Sequence, residues 1–491
     1  MLRDARSLAD GADLSADLCV VGAGAAGITL ARRLAGRGLR VIVLESGGFE
    51  IEPAHQALYR GVMSGIDTWA LDDHRWRLFG GSTARWAGWC MPLLPSDFEP
   101  REHIPASGWP FGFDDLAPYY ALAHEDLELG PLDYDAAALA AADGMPLIEG
   151  GGRLETHVFR YSPPTRMGTR YRAELEAAED VDVWMWANAV DLVLDDPLAR
   201  IERVACATLG GVRFTVTAGR CVLAMGGLEN ARLLLASRSQ VEGGVANSSG
   251  LVGAMFMEHP HMYGTAAWIE PGVLDDQFYR RHSTAGGGVQ IRGALALSEE
   301  TRASERLPHL TATLEESPVE DASTGPVPAT AVAALSGRPR DARLFALTVR
   351  AEQTPDPAIA LSLTKERDAL GLPRVDLHWE VGSDDRRAYA RALDILGAEL
   401  GAAGLGRLWT PLDGEGRLER SIRPGGHHMG TARMHVEPDR GVVDGDGRAH
   451  DVENLYVAGS AVFPTGGAAN PTLTIVALAA RMAEHLGGEP A

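Results

Sequence analysis

Two adjacent histidines in a glycine-rich stretch near the C-terminus are the first residues whose type and setting could do chemistry. The stretch RPGGHHMGTARM covers residues 423–434 and contains His427 and His428. A neutral imidazole can take up a proton near neutral pH, so either ring could serve as a general base. Most lone histidines lie at the surface or in a satisfied core. The stretch alone chooses neither between the two rings nor between catalysis and packing.

A dinucleotide-binding element, which could position a cofactor for such a base, is predicted at the start of the chain. A short apolar strand, DLCVV (residues 17–21), is followed by GAGAAG, in which Gly22, Gly24 and Gly27 have the G-x-G-x-x-G spacing. A segment with helical periodicity comes next, and a second strand ends at Glu45. Glycines let the backbone approach a pyrophosphate at the helix N-terminus, while an acidic residue here binds ribose hydroxyls and repels a 2′-phosphate. These residues predict FAD or NAD and argue against NADP.

Three further segments supply loops and helices that such a site needs. Residues 77–90, RLFGGSTARWAGWC, predict a loop that suits a flat or anionic ligand, although an ordinary tight turn has the same composition. Residues 219–237 predict a strand, two glycines and a helix. The last segment predicts a strand, a glycine-rich loop and an apolar helix. That helix opens at Asn470 and Pro471, a favourable N-cap and a favourable first helical residue.

Length and composition limit the class of protein. The 491 residues exceed one ordinary domain and predict two or three. The formal net charge of −22 argues against a nucleic-acid partner. The four cysteines form no C-x-x-C pair, and we expect neither a metal site nor a disulfide framework. The chain has no apolar run long enough for a membrane span or a signal peptide, which predicts a cytoplasmic protein.

The region between the predicted cofactor segments has a different composition. Residues 262–420 contain strand-like runs such as LFALTV and VDLHWEV, followed by one amphipathic helix. Within this region, residues 315–341 are rich in Pro, Ser and Ala. Such a composition predicts either a lid loop over a cavity or simple disorder.

Taken in order along the chain, these segments resemble the glucose–methanol–choline (GMC) oxidoreductases, FAD enzymes that oxidise alcohols. The resemblance is carried by GAGAAG with its terminal acid, GGSTARW, GLENARLLL, FMEHPH at residues 256–261, HHMGT, and NLYVAGSAVFPTGGAANPTLT. The intervening part is most similar to the branch that contains pyranose oxidases, fructose and gluconate dehydrogenases and glycoside oxidases.

This resemblance implies an α/β fold, α+β overall, with two domains. A Rossmann-like FAD-binding domain would be assembled from residues 1–100, 180–261 and 421–491. Residues 101–179 and 262–420 would form a substrate-binding domain with a mainly antiparallel six-stranded sheet.

The resemblance also implies the roles of individual residues. Family members place the active-site histidine four residues before a threonine, and counting back from Thr431 gives His427, so His428 would turn to packing or to hydrogen bonds behind the base. The second catalytic position falls on Asn470, and the helix that opens at Pro471 would stabilise the anionic reduced flavin. The residues expected to contact the cofactor are Gly22, Gly24, Gly27, Glu45, Ser46, Gly81, Ser82, Arg85, Trp86, Val190, Ala224, Gly459, Ser460, Asn470, Pro471 and Thr472.

Two positions depart from the family pattern. Some relatives carry a histidine in the GGST loop that bonds covalently to the flavin, whereas this chain has Arg85, so we expect non-covalent FAD. Arg85 would favour negative charge near the flavin or form a surface salt bridge. Many members have an aspartate where this chain has Gly459, so the backbone N–H groups of Gly459 and Ser460 would replace its contact with the cofactor.

The resulting functional hypothesis is FAD-dependent oxidation of a CH–OH group in a sugar, glycoside or polyol. His427 would abstract the hydroxyl proton and flavin N5 would accept the hydride, with oxygen or a quinone as the final electron acceptor. The alternatives are oxidation of a hydroxyl on a non-sugar natural product, a flavin lyase without net redox chemistry, and a non-catalytic flavin-binding protein. The sequence leaves the oligomeric state open.

Overall fold

The protein chain is built on two large β-sheets and a small third one. A computed structural model describes residues 1–66, 69–148, 150–270, 272–273, 275–285, 287–317, 329–334, 342–411 and 422–488. The strands of this part of the chain are β1 Leu2–Asp4, β2 Ala12–Val21, β3 Val41–Leu44, β4 Val62–Gly65, β5 Trp89–Cys90, β6 Leu154–Tyr161, β7 Val181–Met185, β8 Asn188–Leu194, β9 Ile201–Ala207, β10 Arg213–Leu223, β11 Pro260–Ile269, β12 His282–Ser283, β13 Gln290–Leu297, β14 Leu310–Ser317, β15 Arg343–Ala351, β16 Leu361–Arg367, β17 Pro373–Trp379, β18 Gly406–Trp409, β19 Ile422–Pro424 and β20 Leu455–Val457.

Helices lie between and around these strands. Their bounds are α1 Ala25–Leu34, α2 Pro53–Gln56, α3 Pro95–Phe98, α4 Phe113–Asp126, α5 Ala136–Asp143, α6 Met167–Ala177, α7 Gly226–Ala236, α8 Glu299–Glu305, α9 Ala329–Ala334, α10 Ser383–Ala402 and α11 Thr472–Gly488.

The first sheet carries the predicted dinucleotide-binding element. Its strand order is β1-β7-β3-β2-β10-β9-β8, and β20 also pairs with β10. The pairs among β1, β7, β3, β2, β10 and β20 are parallel, whereas β9 pairs antiparallel with both neighbours. The central strands are continuous apolar runs, and every residue of β3 is buried, as expected for parallel strands covered on both faces. The predicted strand–helix–strand element is confirmed as β2, α1 and β3.

Helix α11 joins the C-terminus of the chain to this first layer. It packs against α1 and α4, and α1 in turn contacts α6. Most of its first four turns are apolar and buried, including Leu473, Val476, Leu478 and Ala480. Burial on several sides anchors the start of α11 next to the turn that opens α1, so residues more than 400 positions apart become neighbours.

The second sheet is antiparallel throughout. Its strand order is β18-β11-β15-β14-β13-β6-β5, with β12 paired to β13 and β19 paired to β11. The marginal strands β5, β12 and β19 have two or three residues each. The resemblance implied six strands, whereas the observed antiparallel sheet has nine, of which the six longer ones are β6, β11, β13, β14, β15 and β18.

The predicted division into two domains remains a prediction, and several strands cross its boundaries. β5 and β19 lie in ranges assigned to the FAD-binding domain, yet both pair within the second sheet. β4 pairs with β17 in the small sheet of β16, β17 and β4. Short marginal strands carry little periodicity, which is why their pairing could not be assigned from the sequence.

Three further expectations concern cysteines, membrane spans and the lid. All four cysteines lie in the described residues, and each is a buried free thiol. No helix of the described residues is long and apolar enough to cross a bilayer. Most of the predicted lid, at 318–328 and 335–341, falls outside the described residues.

Candidate active site

Almost every segment that the sequence singled out meets at a cavity of about 560 Å³. Its wall combines the turn between β2 and α1, the ends of β3 and β10, the start of α11, and residues of β11 and β15. The predicted site residues in this wall are Gly22, Gly24, Glu45, Ser46, Gly81, Ser82, Arg85, Trp86, Ala224, His427, Gly459, Ser460, Asn470, Pro471 and Thr472. Two other predicted residues, Gly27 and Val190, do not line it.

The glycine turn before α1 is packed tightly on one side and open on the other. Gly22 has a φ of +107°, and a Cβ atom there would lie 2.7 Å from the carbonyl oxygen of Ala224. Gly24 precedes α1 without a side-chain cap, and no atom lies within 4 Å of the place a Cβ atom would take. The first N–H groups of α1 are therefore available to an anion that enters the cavity.

Gly27 has a packing role in place of the predicted contact with the cofactor. It lies inside α1, where a Cβ atom would come 1.8 Å from the carbonyl oxygen of Gly22. Only a hydrogen atom fits in this space, so glycine lets the helix start directly against the turn.

Val190 lies outside the cavity wall, so its contact with the cofactor stays a prediction. β8 contributes Asn188 and Ala189 to the lining, and the pairing of β8 with β9 shifts between Ala189 and Asp191. The shift interrupts the regular alternation of side chains, so position along the strand did not show which residue faces the cavity.

Glu45 holds the backbone around the glycine turn. Its Oε2 accepts a hydrogen bond from the N–H of Ala23 at 3.0 Å, and its Oε1 accepts one from Gly47 at 2.8 Å. Burial raises the pKa of Glu45, and these two hydrogen bonds oppose that rise. The carboxylate also lines the cavity, and its remaining lone pairs can accept from ribose hydroxyls.

The backbone around His427 fixes its place in the cavity wall. Pairing of β19 with β11 brings residues 422–424 beside residues 260–262. The Oε2 atom of Glu258 accepts hydrogen bonds from the backbone N–H groups of His427 at 2.9 Å and Gly425 at 3.1 Å. The His427 ring keeps part of its surface open to the cavity.

Two polar side chains flank the His427 ring. Its Nδ1 lies 2.8 Å from Nδ1 of His259, and its Nε2 lies 3.3 Å from Nδ2 of Asn470. His259 and Asn470 stand 168 and 43 positions away in the chain, so only the folded structure brings the three together.

Hydrogen-bond directions assign the tautomers of both rings. The Nε2 of His259 lies 3.2 Å from the carbonyl oxygen of Gly466, which can only accept, so this nitrogen carries a proton. In a neutral ring the Nδ1 of His259 then has a lone pair, and the Nδ1–H of His427 donates to it. The lone pair of His427 is therefore on Nε2, the atom next to Asn470.

Burial keeps both imidazoles neutral at neutral pH. It lowers the pKa of His427 well below the ordinary value of 6.5 and the pKa of His259 to about 4. A neutral His427 keeps its Nε2 lone pair, which is the state that a proton acceptor needs.

The Asn470 side chain does not cap α11, although the sequence favoured an N-cap. The carbonyl of Pro471 accepts the first helical bond, from the N–H of Ile475 at 2.8 Å, so Pro471 precedes the helix and Thr472 begins it. The amide nitrogen of Asn470 instead contacts His427. Its buried Oδ1 has no hydrogen-bond partner among the described residues. Local spacing could not distinguish these two uses of the side chain.

The His428 ring does not contact His259 or Asn470, the two side chains that flank the His427 ring. Its Nε2 lies 3.6 Å from Oε1 of Glu258, and its ring packs at 5.8 Å from that of Phe256. Burial lowers the pKa of His428 to about 3, so the contact with Glu258 involves a neutral ring.

Arg85 lies over the Trp76 ring, with its guanidinium carbon 4.8 Å from the ring centroid. It is exposed and lines the cavity, and no carboxylate of the described residues pairs with it. Its predicted salt-bridge alternative is therefore absent from the described part of the chain.

Sequence reasoning assigned no role to several residues in or next to the cavity wall. They include His259 behind the base, and His261, Trp89 and Arg350 in the wall. A signal was present in the sequence. Histidines at 259 and 261 alternate around Pro260 at the start of a strand, and alternation places such residues on one face.

The donors and spaces around the cavity fit FAD and define the class of protein. The free N–H groups at the start of α1, the acid Glu45 and the open backbone at Gly459, where no atom lies within 4 Å of a would-be Cβ, match a dinucleotide. With the Rossmann-like sheet, they define a dinucleotide-binding protein.

Comparison with known proteins narrows this class. Residues 17–240 match the FAD dependent oxidoreductase family, and residues 357–479 match the family described as GMC oxidoreductase. Paromamine 6'-oxidase of Streptomyces fradiae is 27% identical, over 96% of this chain and 91% of its own length. The fructose dehydrogenase large subunit of Gluconobacter japonicus is 25% identical, over 96% of this chain and 98% of its own.

A solved structure has the same fold. Pyridoxine 4-oxidase from Mesorbium loti superposes with a TM-score of 0.64 at 19% identity, covering 97% of this chain and 100% of its own. The chain therefore carries an FAD dependent oxidoreductase domain and a GMC oxidoreductase domain, and members of the GMC family are FAD-dependent alcohol or sugar oxidases and dehydrogenases.

Proposed function

We propose that this enzyme oxidises a CH–OH group of a sugar, glycoside or polyol to a carbonyl, with His427 as the general base. The observation that carries the proposal is the lone pair of His427 Nε2, next to the Asn470 amide in the wall of the FAD-binding cavity. The names of the relatives, an oxidase of paromamine and a fructose dehydrogenase, support the substrate class.

In this mechanism the protein side chains orient the alcohol and take its proton. The substrate hydroxyl donates to Nε2 of His427, and the Nδ2–H of Asn470 donates to the substrate oxygen. As the O–H proton moves to Nε2, the second bond between carbon and oxygen forms while the C–H bond breaks. FAD, when bound, accepts that hydrogen together with its two electrons.

His259 acts as a positioning residue for this transfer. Its Nδ1 lone pair accepts from Nδ1–H of His427 at 2.8 Å both before and after the base gains a proton. The contact keeps the lone pair on Nε2 and stabilises the imidazolium that forms. General base catalysis of this type contributes roughly 10²–10⁴-fold in rate.

We further propose that FAD is bound non-covalently by the predicted residues that line the cavity. Arg85 stands where some relatives carry the linking histidine, and an arginine side chain forms no such bond. The helix α11, which begins at Thr472, supports negative charge in the cavity through its positive end.

The test of the base compares His427→Ala with the matched control His428→Ala. Both variants should be purified with FAD occupancy measured, and flavin reduction followed anaerobically at saturating substrate, found by screening sugars, glycosides and polyols. His427→Ala should lose about 10²–10⁴ in reduction rate, and His428→Ala much less. The assignment fails if His428→Ala is the slower variant at equal occupancy. No bleaching of the fully loaded wild type by any alcohol would argue against alcohol oxidation altogether.

A further inference from the structure

The cavity wall contains a buried arginine beside the proposed base. Arg350 on β15 is the direct cross-strand partner of His261 on β11, so both side chains lie on the same face of the second sheet. Both line the cavity, and the His261 ring centroid is 6.0 Å from that of His427.

Arg350 differs from the paired arginines of the cavity. Arg75 and Arg77 each bind Glu229, and Arg232 binds both Glu229 and Asp368. Arg350 is 9% exposed, and no carboxylate of the described residues lies within ion-pair distance of it.

The groups packed around Arg350 leave its charge uncompensated. Its Nη1 donates to Oγ1 of Thr313 at 3.3 Å, and its guanidinium carbon lies 4.3 Å from the Trp89 ring centroid. Glu315, the carboxylate that acts on it most strongly, is bound by Arg292. Tyr161 and Tyr263 also lie near it, but a phenol group is not an ion-pair partner.

The guanidinium stays charged at neutral pH although it is buried. Burial lowers its pKa to about 10, still well above neutrality. Burying a charge without a partner costs free energy, which the contact with Trp89 offsets only in part. An anionic group of the substrate would supply the missing partner and would bind by a charge-assisted hydrogen bond.

The acidic residues of the cavity wall provide no unpaired carboxylate that could bind a cationic substrate. Glu229 and Asp368 are held by arginines, and Glu45 accepts from two backbone N–H groups. Within the described residues, the wall formed by β11 and β15 therefore carries positive charge only.

We propose that Arg350 binds a carboxylate of the substrate, so that the enzyme acts on sugar acids or uronides in preference to neutral or aminated sugars. This inference rests on the proposed function for the reaction, whereas its binding component can be tested without turnover.

The first experiment compares isosteric ligands on the wild-type holoenzyme. D-Glucuronate and D-galacturonate are titrated against D-glucuronamide and D-galacturonamide, with the visible flavin spectrum as the binding readout and anaerobic flavin reduction as the activity readout. Each acid and its amide have the same shape and differ in charge. In at least one pair, the acid should bind about 10–100-fold more tightly than the amide. This ratio corresponds to the free energy that a hydrogen bond to a charged group contributes. Equal or weaker binding of the acid in both pairs overturns the proposal.

The second experiment removes the charge. Arg350→Gln should abolish the preference for acid over amide, and Arg350→Lys should keep part of it. The matched control is Arg281→Gln, because Arg281 also stacks on an aromatic ring of this sheet, that of Tyr161 at 4.2 Å, but is exposed and does not line the cavity. A preference that survives in Arg350→Gln contradicts the proposal, as does an equal loss in Arg281→Gln.

The two readouts separate this proposal from the proposed function. If the acids bind more tightly than the amides but no alcohol reduces the flavin, the carboxylate site stands and alcohol oxidation fails. If neutral sugars reduce the flavin and the acids neither bind more tightly nor react faster, alcohol oxidation stands and the carboxylate site fails. Should Arg350→Gln not fold, the comparison of isosteric ligands on the wild type still decides the question.

Discussion

At the scale of single residues, the proposed chemistry depends on which imidazole nitrogen carries the proton. His427 can present its Nε2 lone pair because Nδ1 donates to His259, whose own tautomer is set by the carbonyl of Gly466. A chain of directed hydrogen bonds thus determines the reactive atom, although His259 itself does not line the cavity.

These hydrogen bonds predict that His259 affects the rate of flavin reduction through His427. His259→Phe removes the acceptor, so flavin reduction should slow by about 10–100-fold, the range found when the hydrogen-bond partner that orients a metal-bound histidine is lost. His259→Gln can accept from Nδ1–H of His427 through its amide oxygen and should recover part of the rate. The measurement is the rate of anaerobic flavin reduction in each variant at equal FAD occupancy. Equal rates in His259→Phe and His259→Gln would mean that His259 only fills space.

Glu258 predicts a pH dependence of stability. Burial raises its pKa from 4.5 to about 7, while the backbone N–H groups of His427, His259 and Gly425 oppose the rise. Because the folded-state pKa lies above the unfolded one, the group contributes stability below pH 4.5 that is lost as pH rises through 7. Across that window the loss is about 3 kcal/mol.

The matched test of Glu258 uses thermal unfolding at pH 5 and pH 8. Glu258→Gln stays neutral, so its Tm should rise relative to wild type between these two pH values. Glu437→Gln, at an exposed glutamate paired with Arg440, is the control and should show no such trend. A constant difference in Tm between Glu258→Gln and wild type at both pH values would rule out the raised pKa.

At the scale of elements, Gly24 before helix α1 and Gly27 inside it separate cofactor binding from folding. Gly27→Ala places a Cβ atom 1.8 Å from the carbonyl oxygen of Gly22, so α1 must shift. Overpacking of this kind costs about 1–3 kcal/mol or more. The methyl group of Gly24→Ala meets no protein atom within 4 Å, but it enters the space next to the free N–H groups of α1.

These two variants should therefore fail in different ways. Gly27→Ala should lower the Tm of the apoprotein, whereas Gly24→Ala should match the wild-type apoprotein and retain less FAD after gel filtration. Thermal unfolding and flavin absorbance measure the two effects. If Gly24→Ala destabilised the apoprotein as much as Gly27→Ala, the turn would be tightly packed on both sides.

At the scale of the whole molecule, the cofactor site is assembled from segments spread along almost the entire chain. The cavity wall includes Gly22 near the N-terminus and Thr472 near the C-terminus, together with Arg350 from the second sheet. A ligand that contacts all these segments is coupled to the folded state as a whole, because it binds only when they are assembled.

Non-covalent binding of FAD predicts two linked results. Acid precipitation should leave a colourless pellet and all of the flavin in the supernatant. The Tm of the apoprotein should rise with added FAD, and FAD at 100 times its Kd should add about 2.7 kcal/mol to the free energy of unfolding. A yellow pellet after denaturation would contradict the role proposed for Arg85.

Much of the fold and part of the candidate site could be predicted from the sequence. The strand, glycine turn and helix of residues 12–34 are local, because spacing of two or of about 3.6 residues is set by neighbouring backbone geometry. The order of motifs indicated the GMC resemblance and, through it, the FAD cofactor and an antiparallel second sheet, although not its nine strands. It also proposed His427 and Asn470, which the structure brings within 3.3 Å of each other.

Only the tertiary structure decided how side chains from distant segments meet. Asn470 had the spacing of an N-cap, yet its amide turns to His427, and Gly27 had the spacing of a cofactor contact, yet it packs against Gly22. The contact of His259 with His427 and the pairing of Arg350 with His261 depend on the pairing of β11 with β19 and β15. Local periodicity shows which face of a strand a side chain takes. Burial of the whole core decides which strand lies beside it. That neighbouring strand in turn determines the partner of each polar group.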